Sequence, residues 1–219
     1  MLITPLIQSN YPNLLLSDKV MYALQLMEDD DIQHLPVLLN DQFLGLVSKH
    51  TLLDANEGDT VSSLQEQFVK GCVNKDSFLL LAVKVMAEHK LSLIAVTTET
   101  NEFLGVITAQ ILIEQLSIYV GTQEPGGVIV LEVDRRNYAF GEISRLVETN
   151  NAYITQLNTY TEADSGLFIV SIKVNKVEIS DIIATFQRYD YTVRYYFGEE
   201  QFANELKENY NHLMMYLNL

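Results

Sequence analysis

The sequence predicts a mixed α/β (α+β) protein made of two different parts, and three observations carry this prediction. The first is an internal repeat that organises residues 1–120. The second is a βαββαβ order of apolar segments over residues 125–198. The third is the run GTQEPGG at residues 121–127, which places three glycines and a proline in seven residues. Such a breaker is typical of a short linker between domains.

The internal repeat appears when the first half of the chain is compared with itself. An offset of 59 residues places Ala23, Met27 and Val37 on Ala82, Met86 and Val96. One residue inserted in the second copy then changes the offset to 60, so that Phe43-Leu44-Gly45 falls on Phe103-Leu104-Gly105. A duplicated unit of this kind determines the architecture before any local pattern does.

Both copies show the same order of local signals. Each begins with residues able to cap a helix, which are Ser17 or Asp18 in the first copy and Asp76 or Ser77 in the second. Apolar residues at helical spacing follow, and we expect the stripes of the two copies to be buried together in one core. They are Val20, Ala23, Leu24 and Met27, and Leu79, Ala82, Val83 and Met86. A short apolar strand, a turn, a glycine-containing strand and a second helix complete each copy, the last starting at Ser48 or Thr108.

Two runs carry a resemblance to a known family. HLPVLLNDQFLGLVSKHTLLD (residues 34–54) and LIAVTTETNEFLGVITAQILIEQ (residues 93–115) each resemble a cystathionine-β-synthase-type (CBS) domain. The resemblance covers residues 1–120, with repeats at about 1–56 and 57–120. It implies that the repeats pair as a Bateman module, which in many members binds adenosine-containing ligands in clefts between the repeats.

The same resemblance implies where a nucleotide would bind. Ser48 and Thr108 stand at the helix start that holds phosphate in nucleotide-binding members, where a hydroxyl and free N–H groups favour an anion. The alternative is that both residues simply cap their helices. Three residues later such members carry an aspartate for the ribose, whereas this chain has Thr51 and Ile111. The site around Ser48 is therefore the better candidate.

Other residues near Ser48 are candidates for the same cleft. Lys49 and His50 can supply positive charge to a phosphate, or can simply be solvated surface residues. His34 and Pro36 belong to the strand that the family often uses to contact a base. The alternative for His34 is a partly buried histidine whose ring is satisfied by backbone carbonyls.

The second half is predicted to be a ferredoxin-like domain over residues 125–198. The expected order is strand 128–133, helix 139–149, strands 153–160 and 167–174, helix 177–189 and strand 192–197. This order and the turn before the first helix resemble an ACT domain. In amino-acid-binding members that turn holds the effector at a dimer interface, so Asp134, Asn137 and Gly141 become candidates. Alternatively, Asp134 and Asn137 only shape the turn and cap the helix.

A CBS pair followed by an ACT domain is the arrangement of the acetoin utilisation protein B-like group, which the whole chain resembles. The final segment, residues 199–219, is predicted to be an amphipathic helix. Its apolar stripe must be buried on its own domain, on a second subunit or on a regulated partner. The stripe consists of Phe202, Leu206, Tyr210, Leu213 and Leu217.

Composition excludes several classes of function. Residues 1–120 carry 6 Lys and Arg against 15 Asp and Glu, and residues 121–219 carry 8 against 14, so the halves contribute −9 and −6 to the total of −15. Neither half offers a basic face to nucleic acid. Cys72 is the single cysteine, which excludes an intramolecular disulfide and is expected to be a small buried residue. No signal peptide or membrane span is recognisable, which favours the cytoplasm.

No catalytic or metal-binding motif is found in the sequence. The four histidines lack metal-ligand spacing, and there is no nucleophile elbow or calcium loop. We therefore expect a non-enzymatic protein without a resident cofactor or metal. The leading hypothesis is a ligand-sensing regulator. The alternatives are a structural adaptor with degenerate CBS pockets and an amino-acid sensor that uses the ACT-like domain. A homodimer, a small-molecule effector such as an adenine nucleotide, and an unidentified regulated protein are the expected partners.

Overall fold

The chain divides into two compact units, which we describe separately. The structure is a computed structural model, and it describes residues 1–198. The first unit is Met1–Tyr119 and the second begins at Val120. The predicted C-terminal helix over residues 199–219 lies outside the described residues.

The first unit contains the same order of elements twice. The first copy consists of β1 (Leu14–Leu15), α1 (Val20–Asp29), β2 (His34–Leu39), β3 (Gln42–Ser48) and α2 (Lys49–Leu53). The second consists of β4 (Cys72–Asn74), α3 (Leu79–His89), β5 (Leu93–Thr97), β6 (Phe103–Thr108) and α4 (Ala109–Tyr119). In both, the first strand is parallel to the second and the second is antiparallel to the third. The predicted duplication is confirmed.

Each copy is completed by the segment that precedes the other copy. Gln8 pairs with Val106 of β6, and Val69 pairs with Leu46 of β3. We call this reciprocal pairing the exchange between copies, and the segments that take part the exchanged segments. It extends to the helix starts, where Leu2 pairs with Phe78 and Lys19 pairs with Thr60. Because the exchange is reciprocal, neither copy has its full set of backbone partners without the other.

The glycine shared by the two copies allows this close approach. A Cβ atom added at Gly105 would lie 2.4 Å from the carbonyl oxygen of Gln8, and one added at Gly45 would lie 2.6 Å from the Cβ of Phe68. Gly105 also has a φ of +141°, a conformation that other residues rarely adopt. The repeated glycine therefore serves the exchange between copies.

The predicted side-chain caps of α1 and α3 are wrong. The cap positions are Lys19 and Phe78, and neither provides a side-chain hydrogen bond. Backbone carbonyls from the exchanged segments take that role instead. Val20 donates its N–H to the Asp59 carbonyl at 3.0 Å, and Leu79 donates to the Met1 carbonyl at 3.0 Å. Long-range pairing thus satisfies the free N–H groups that a local cap would otherwise satisfy.

Most residues of the apolar stripes of α1 and α3 are buried, with Leu24 and Val83 half-buried, but the two stripes do not pack in one core. Val20 and Leu79 are both fully buried. Val20 belongs to a core cluster that includes Leu35 and Val61, whereas Leu79 belongs to a second cluster that includes Ile3 and Ile94. The expectation that the two stripes share one core is therefore wrong, because each exchanged segment supplies apolar residues to the copy that it completes.

The second unit has the predicted βαββαβ order and a ferredoxin-like topology. Its elements are β7 (Val128–Val133), α5 (Phe140–Glu148), β8 (Ile154–Thr161), β9 (Phe168–Val174), α6 (Ser180–Arg188) and β10 (Thr192–Phe197). The four strands form an antiparallel sheet in the order β10-β7-β9-β8. One face of the sheet packs its apolar residues, such as Leu131 and Ile172, with Ile143 of α5 and Phe186 of α6.

Two local details of the second unit differ from the sequence pattern. Ile154 and Leu157 both pack on the core although they are three residues apart. A shift in register between Ile154 and Gln156 allows this, as a β-bulge does. Helix α6 begins at Ser180 instead of residue 177, and the Lys176 carbonyl accepts a hydrogen bond from Gly127 at 2.6 Å, which keeps this segment beside the sheet.

Candidate ligand-binding sites

The first candidate site lies where the ends of the central strands of the two copies meet. His34 pairs with Ser48 across β2 and β3, and Leu93 pairs with Thr108 across β5 and β6. The His34 ring reaches the other copy, because its Nδ1 lies 2.9 Å from the Ser92 Oγ and accepts the Ser92 N–H at 3.3 Å. Ser92 was not predicted as a residue of this site, because it lies 58 residues from His34 in the sequence.

His34 is half-buried, and burial lowers the pKa of its imidazole below the ordinary value. Acceptance of the Ser92 N–H requires an unprotonated Nδ1, so hydrogen bonding and burial favour the same neutral form. This arrangement differs from the sequence alternative in which backbone carbonyls satisfy the ring. The contact to Ser92 makes His34 a direct link between the two copies.

Ser48 caps helix α2, as the structural alternative predicted. Its Oγ accepts the Thr51 N–H at 3.0 Å and lies 2.8 Å from the Thr51 Oγ1. Thr108 makes the equivalent but longer bond, accepting the Ile111 N–H at 3.4 Å. Ser48 and Thr51 are both half-buried, and Ser48 is the residue that pairs with His34 across the sheet. Their two hydroxyls therefore form a polar pair next to His34.

The remaining candidates of this cleft do not converge on Ser48. The His50 ring is 88% exposed and pairs with Asp54, at 3.2 Å between Nδ1 and Oδ2. Lys49 lines a groove between α1 and α2 together with Met21 and Glu57. Pro36 is buried within β2. The His50 ring thus pairs with a neighbour on its own helix, and a role of Lys49 or His50 in binding a phosphate stays a prediction.

The second candidate site is a cleft of about 710 Å³ at one end of the ferredoxin-like sheet. Asp134 and Asn137 line it, whereas Gly141 lies within α5 and does not. The Asp134 Oδ1 accepts the Arg136 N–H at 2.8 Å, and the Asp134 carbonyl accepts the Asn137 N–H at 2.8 Å. The loop amides thus donate within the turn, which is the structural alternative for this pair.

Several residues of this cleft were missed because they come from distant segments. Glu142 accepts a hydrogen bond from the Tyr191 hydroxyl at 3.0 Å. Burial, followed by the effect of the Glu142 carboxylate, raises the pKa of Tyr191 to about 12. Glu132, Tyr189 and Asp190 also line the cleft. They stand at the end of β7 and in the turn before β10, which adjoin only after the sheet has formed.

Comparison with known proteins decides the family of the first unit. Residues 6–58 and 65–118 match the model of the CBS domain. The first half of the chain is a pair of CBS domains. The two matched segments coincide with the two copies, so the meeting point of His34 and Ser92 lies between the CBS domains.

Solved structures and one relative are similar to about half of this chain. A CBS domain pair/ACT domain protein from Thermotoga maritima is 19% identical and covers 55% of this chain and 99% of its own, with a TM-score of 0.51, which supports the fold. A structure from Vibrio cholerae described as an acetoin utilization protein is 25% identical and covers 57% and 96%, with a TM-score of 0.44. Homoserine O-acetyltransferase from Methanocorpusculum labreanum is 28% identical over 115 residues, 51% of this chain but 23% of that protein.

Three further features of the described residues concern metal binding, membrane spanning and the single cysteine. Within residues 1–198, no group of three or more His, Cys, Asp or Glu side chains is placed to hold a metal ion. No helix of the described part is long and apolar enough to cross a membrane. Cys72 is half-buried in β4, and not fully buried as predicted, and this burial raises the pKa of its thiol.

Proposed function

We propose that this protein is a non-enzymatic regulator whose CBS pair senses a small ligand, with an adenine nucleotide or a related adenosine metabolite as the ligand class. One observation carries this proposal most directly, the link between the two CBS domains through His34 and Ser92. A ligand held beside this link contacts both domains. Its binding therefore changes the free energy of their association, and a partner protein can respond to that change.

The ligand class follows from the CBS pair and from the polar groups at the meeting point. CBS pairs of the resembled type take adenosine-containing ligands, and Ser48 with Thr51 offers two hydroxyls beside His34. In the second CBS domain, Ile111 replaces the polar residue at the position equivalent to Thr51. A ligand that needs hydrogen bonds to phosphate and ribose therefore gains more at Ser48 than at Thr108.

Thermal shift of the full chain tests this proposal. AMP, ADP, ATP and S-adenosylmethionine are each titrated, because a ligand that binds only the native state raises the apparent stability by mass action. At about 100 times its Kd a ligand contributes about 2.7 kcal/mol. A concentration-dependent rise in Tm with at least one adenosine compound is expected, and no rise with any of them would overturn the ligand class.

A structural adaptor is the alternative that a specific observation favours. The Ser48 and Thr51 hydroxyls are already hydrogen bonded to each other, so a ligand must replace that bond as well as water. An adaptor would show no shift in the thermal experiment. The amino-acid sensor has less support, because the loop amides around Asp134 are used within the turn.

We also propose that the protein forms a homodimer through its CBS pair. Equivalent positions of the two copies expose large apolar side chains: Met21 at 59% and Leu80 at 43%, and Leu53 at 64% and Ile113 at 67%. Matching apolar faces on two pseudo-equivalent helix pairs are suited to isologous pairing with a second copy.

We also propose a cytoplasmic location, since the lone thiol of Cys72 is kept reduced there.

A further inference from the structure

The cleft at one end of the sheet of the second unit is a candidate binding site that is separate from the CBS pair. It lies where β7 and β8 end and where β9 and β10 begin, and its volume of about 710 Å³ is in the range of small-molecule sites. Its lining combines carboxylates, aromatic rings and one guanidinium group. The carboxylates are those of Glu132, Asp134, Glu142 and Asp190, the rings are those of Phe168, Tyr189 and Tyr191, and the guanidinium group is that of Arg135.

The charge of the lining favours a cationic ligand over an amino acid. Four carboxylates and one guanidinium give a formal charge of 1 − 4 = −3. The carboxylate of an amino acid would be repelled by this lining, and the amides of Arg136 and Asn137 already donate to Asp134. A ligand with ammonium groups and no carboxylate is attracted instead.

The aromatic residues of the cleft already receive cations from the chain itself. The guanidinium carbon of Arg135 lies 5.5 Å from the centroid of the Phe168 ring, and that of Arg145 lies 5.5 Å from the centroid of the Tyr189 ring. This is the distance at which a ring face attracts a cation. These ring faces therefore attract cations, and a cationic ligand there competes with the guanidinium groups of Arg135 and Arg145.

Two of the four carboxylates are available to a ligand. Over residues 1–198, Glu132 and Asp190 have neither an ion pair nor a side-chain hydrogen bond, whereas Glu142 accepts from Tyr191 and Asp134 accepts from Arg136. In the same range no three such groups converge as a metal site does. Carboxylates spread around a cleft match an extended polycation better than a single metal ion.

From this lining we infer that the cleft binds an aliphatic polyamine. Its ammonium groups pair with Glu132 and Asp190, and its methylene chain lies along the rings of Phe168 and Tyr191. Arg135 is the residue that competes with the ligand, because its guanidinium group already occupies the face of Phe168.

Calorimetric titration of the full chain with spermidine tests this inference. We expect saturable binding at one site. Glu132→Gln should weaken it about three- to tenfold, because a charge-assisted hydrogen bond is lost in a partly enclosed cleft. Asp190→Asn should act in the same direction. Asparagine is chosen because it tolerates the φ of +61° at this position. Arg135→Ala should strengthen binding, since it removes the competing cation.

A matched control separates this site from general attraction to an acidic protein. Glu178→Gln removes the same charge from an exposed position of the second unit outside the cleft lining, and it should change affinity less than about twofold. An equal loss in Glu132→Gln and Glu178→Gln would overturn the site. Absence of saturable spermidine binding, or binding of glycine or leucine in its place, would overturn the ligand class. Each outcome is independent of the nucleotide experiment on the CBS pair.

Discussion

His34 is one of the residues whose side chains form hydrogen bonds between the two CBS domains, as Asn101 also does with the carbonyl of Phe43. The His34 Nδ1 accepts the Ser92 N–H only while that nitrogen is unprotonated, and burial lowers the pKa of the ring. The folded state therefore binds the proton less readily than the unfolded state. The resulting stability is fully present above the ordinary histidine pKa of about 6.5 and is lost as the pH falls through the lower folded pKa.

We therefore predict that the free energy of unfolding falls when the pH is lowered from about 7.5 to about 5.5 and that His34 causes part of the fall. His34→Gln should reduce this pH dependence, whereas His89→Gln, a change at an exposed histidine, should leave it unchanged. Urea denaturation at several pH values measures the difference. The same pH dependence in parent and His34→Gln would contradict the role of the ring.

The sequence predicted some single residues better than others, for a physical reason. Ser48 as a helix cap was recognisable because its partner, Thr51, lies three residues away. Ser92 was not recognisable as a partner of His34, because 58 residues separate them and only the pairing of the two copies brings them together. Local signals thus predict local contacts, and the polar link between the domains required the structure.

Among the elements, the exchange between copies depends on β3 and β6 and on their shared glycine. The repeat of Phe-Leu-Gly was visible in the sequence, but the reason for the glycine was not. The carbonyl that approaches Gly105 belongs to Gln8, in the segment that precedes the other copy. The same exchange explains the wrong prediction of side-chain caps for α1 and α3. Backbone carbonyls from distant segments replaced the local caps.

We predict that Gly105→Ala destabilises the fold by about 1–3 kcal/mol or more, because the added Cβ meets backbone at 2.4 Å and the φ of +141° disfavours alanine. Gly58→Ala is the matched control, since a Cβ there meets nothing within 4 Å. Chemical denaturation of both variants provides the comparison. Equal stability of Gly105→Ala and the parent would show that the exchanged segment does not approach β6 as described.

For the whole molecule, the division into a CBS pair and a ferredoxin-like unit was predictable because each part has its own periodicity of apolar residues. The homodimer stays a prediction. The surface through which we propose that it forms contains the exposed residues Met21, Leu53, Leu80 and Ile113.

We predict a homodimer by light scattering and a shift toward monomer in Leu53→Glu, because a buried charge without a partner opposes association. Leu39→Glu, at a leucine that is 46% exposed on β2, is the control and should leave the dimer intact. A parent protein that stays monomeric at high concentration, or an equal effect of both changes, would contradict the proposed surface.

The most direct test of ligand sensing by the CBS pair is calorimetric titration of the full chain with the adenosine compound that gives the largest thermal shift. Ser48→Ala should lose about tenfold or more in affinity, or ~1.5–3 kcal/mol for one charge-assisted hydrogen bond, and Ser48→Thr should retain most of it. Thr108→Val should change affinity little. Absence of binding to the parent, an equal loss in Ser48→Ala and Thr108→Val, or a loss in Thr108→Val alone would contradict the account.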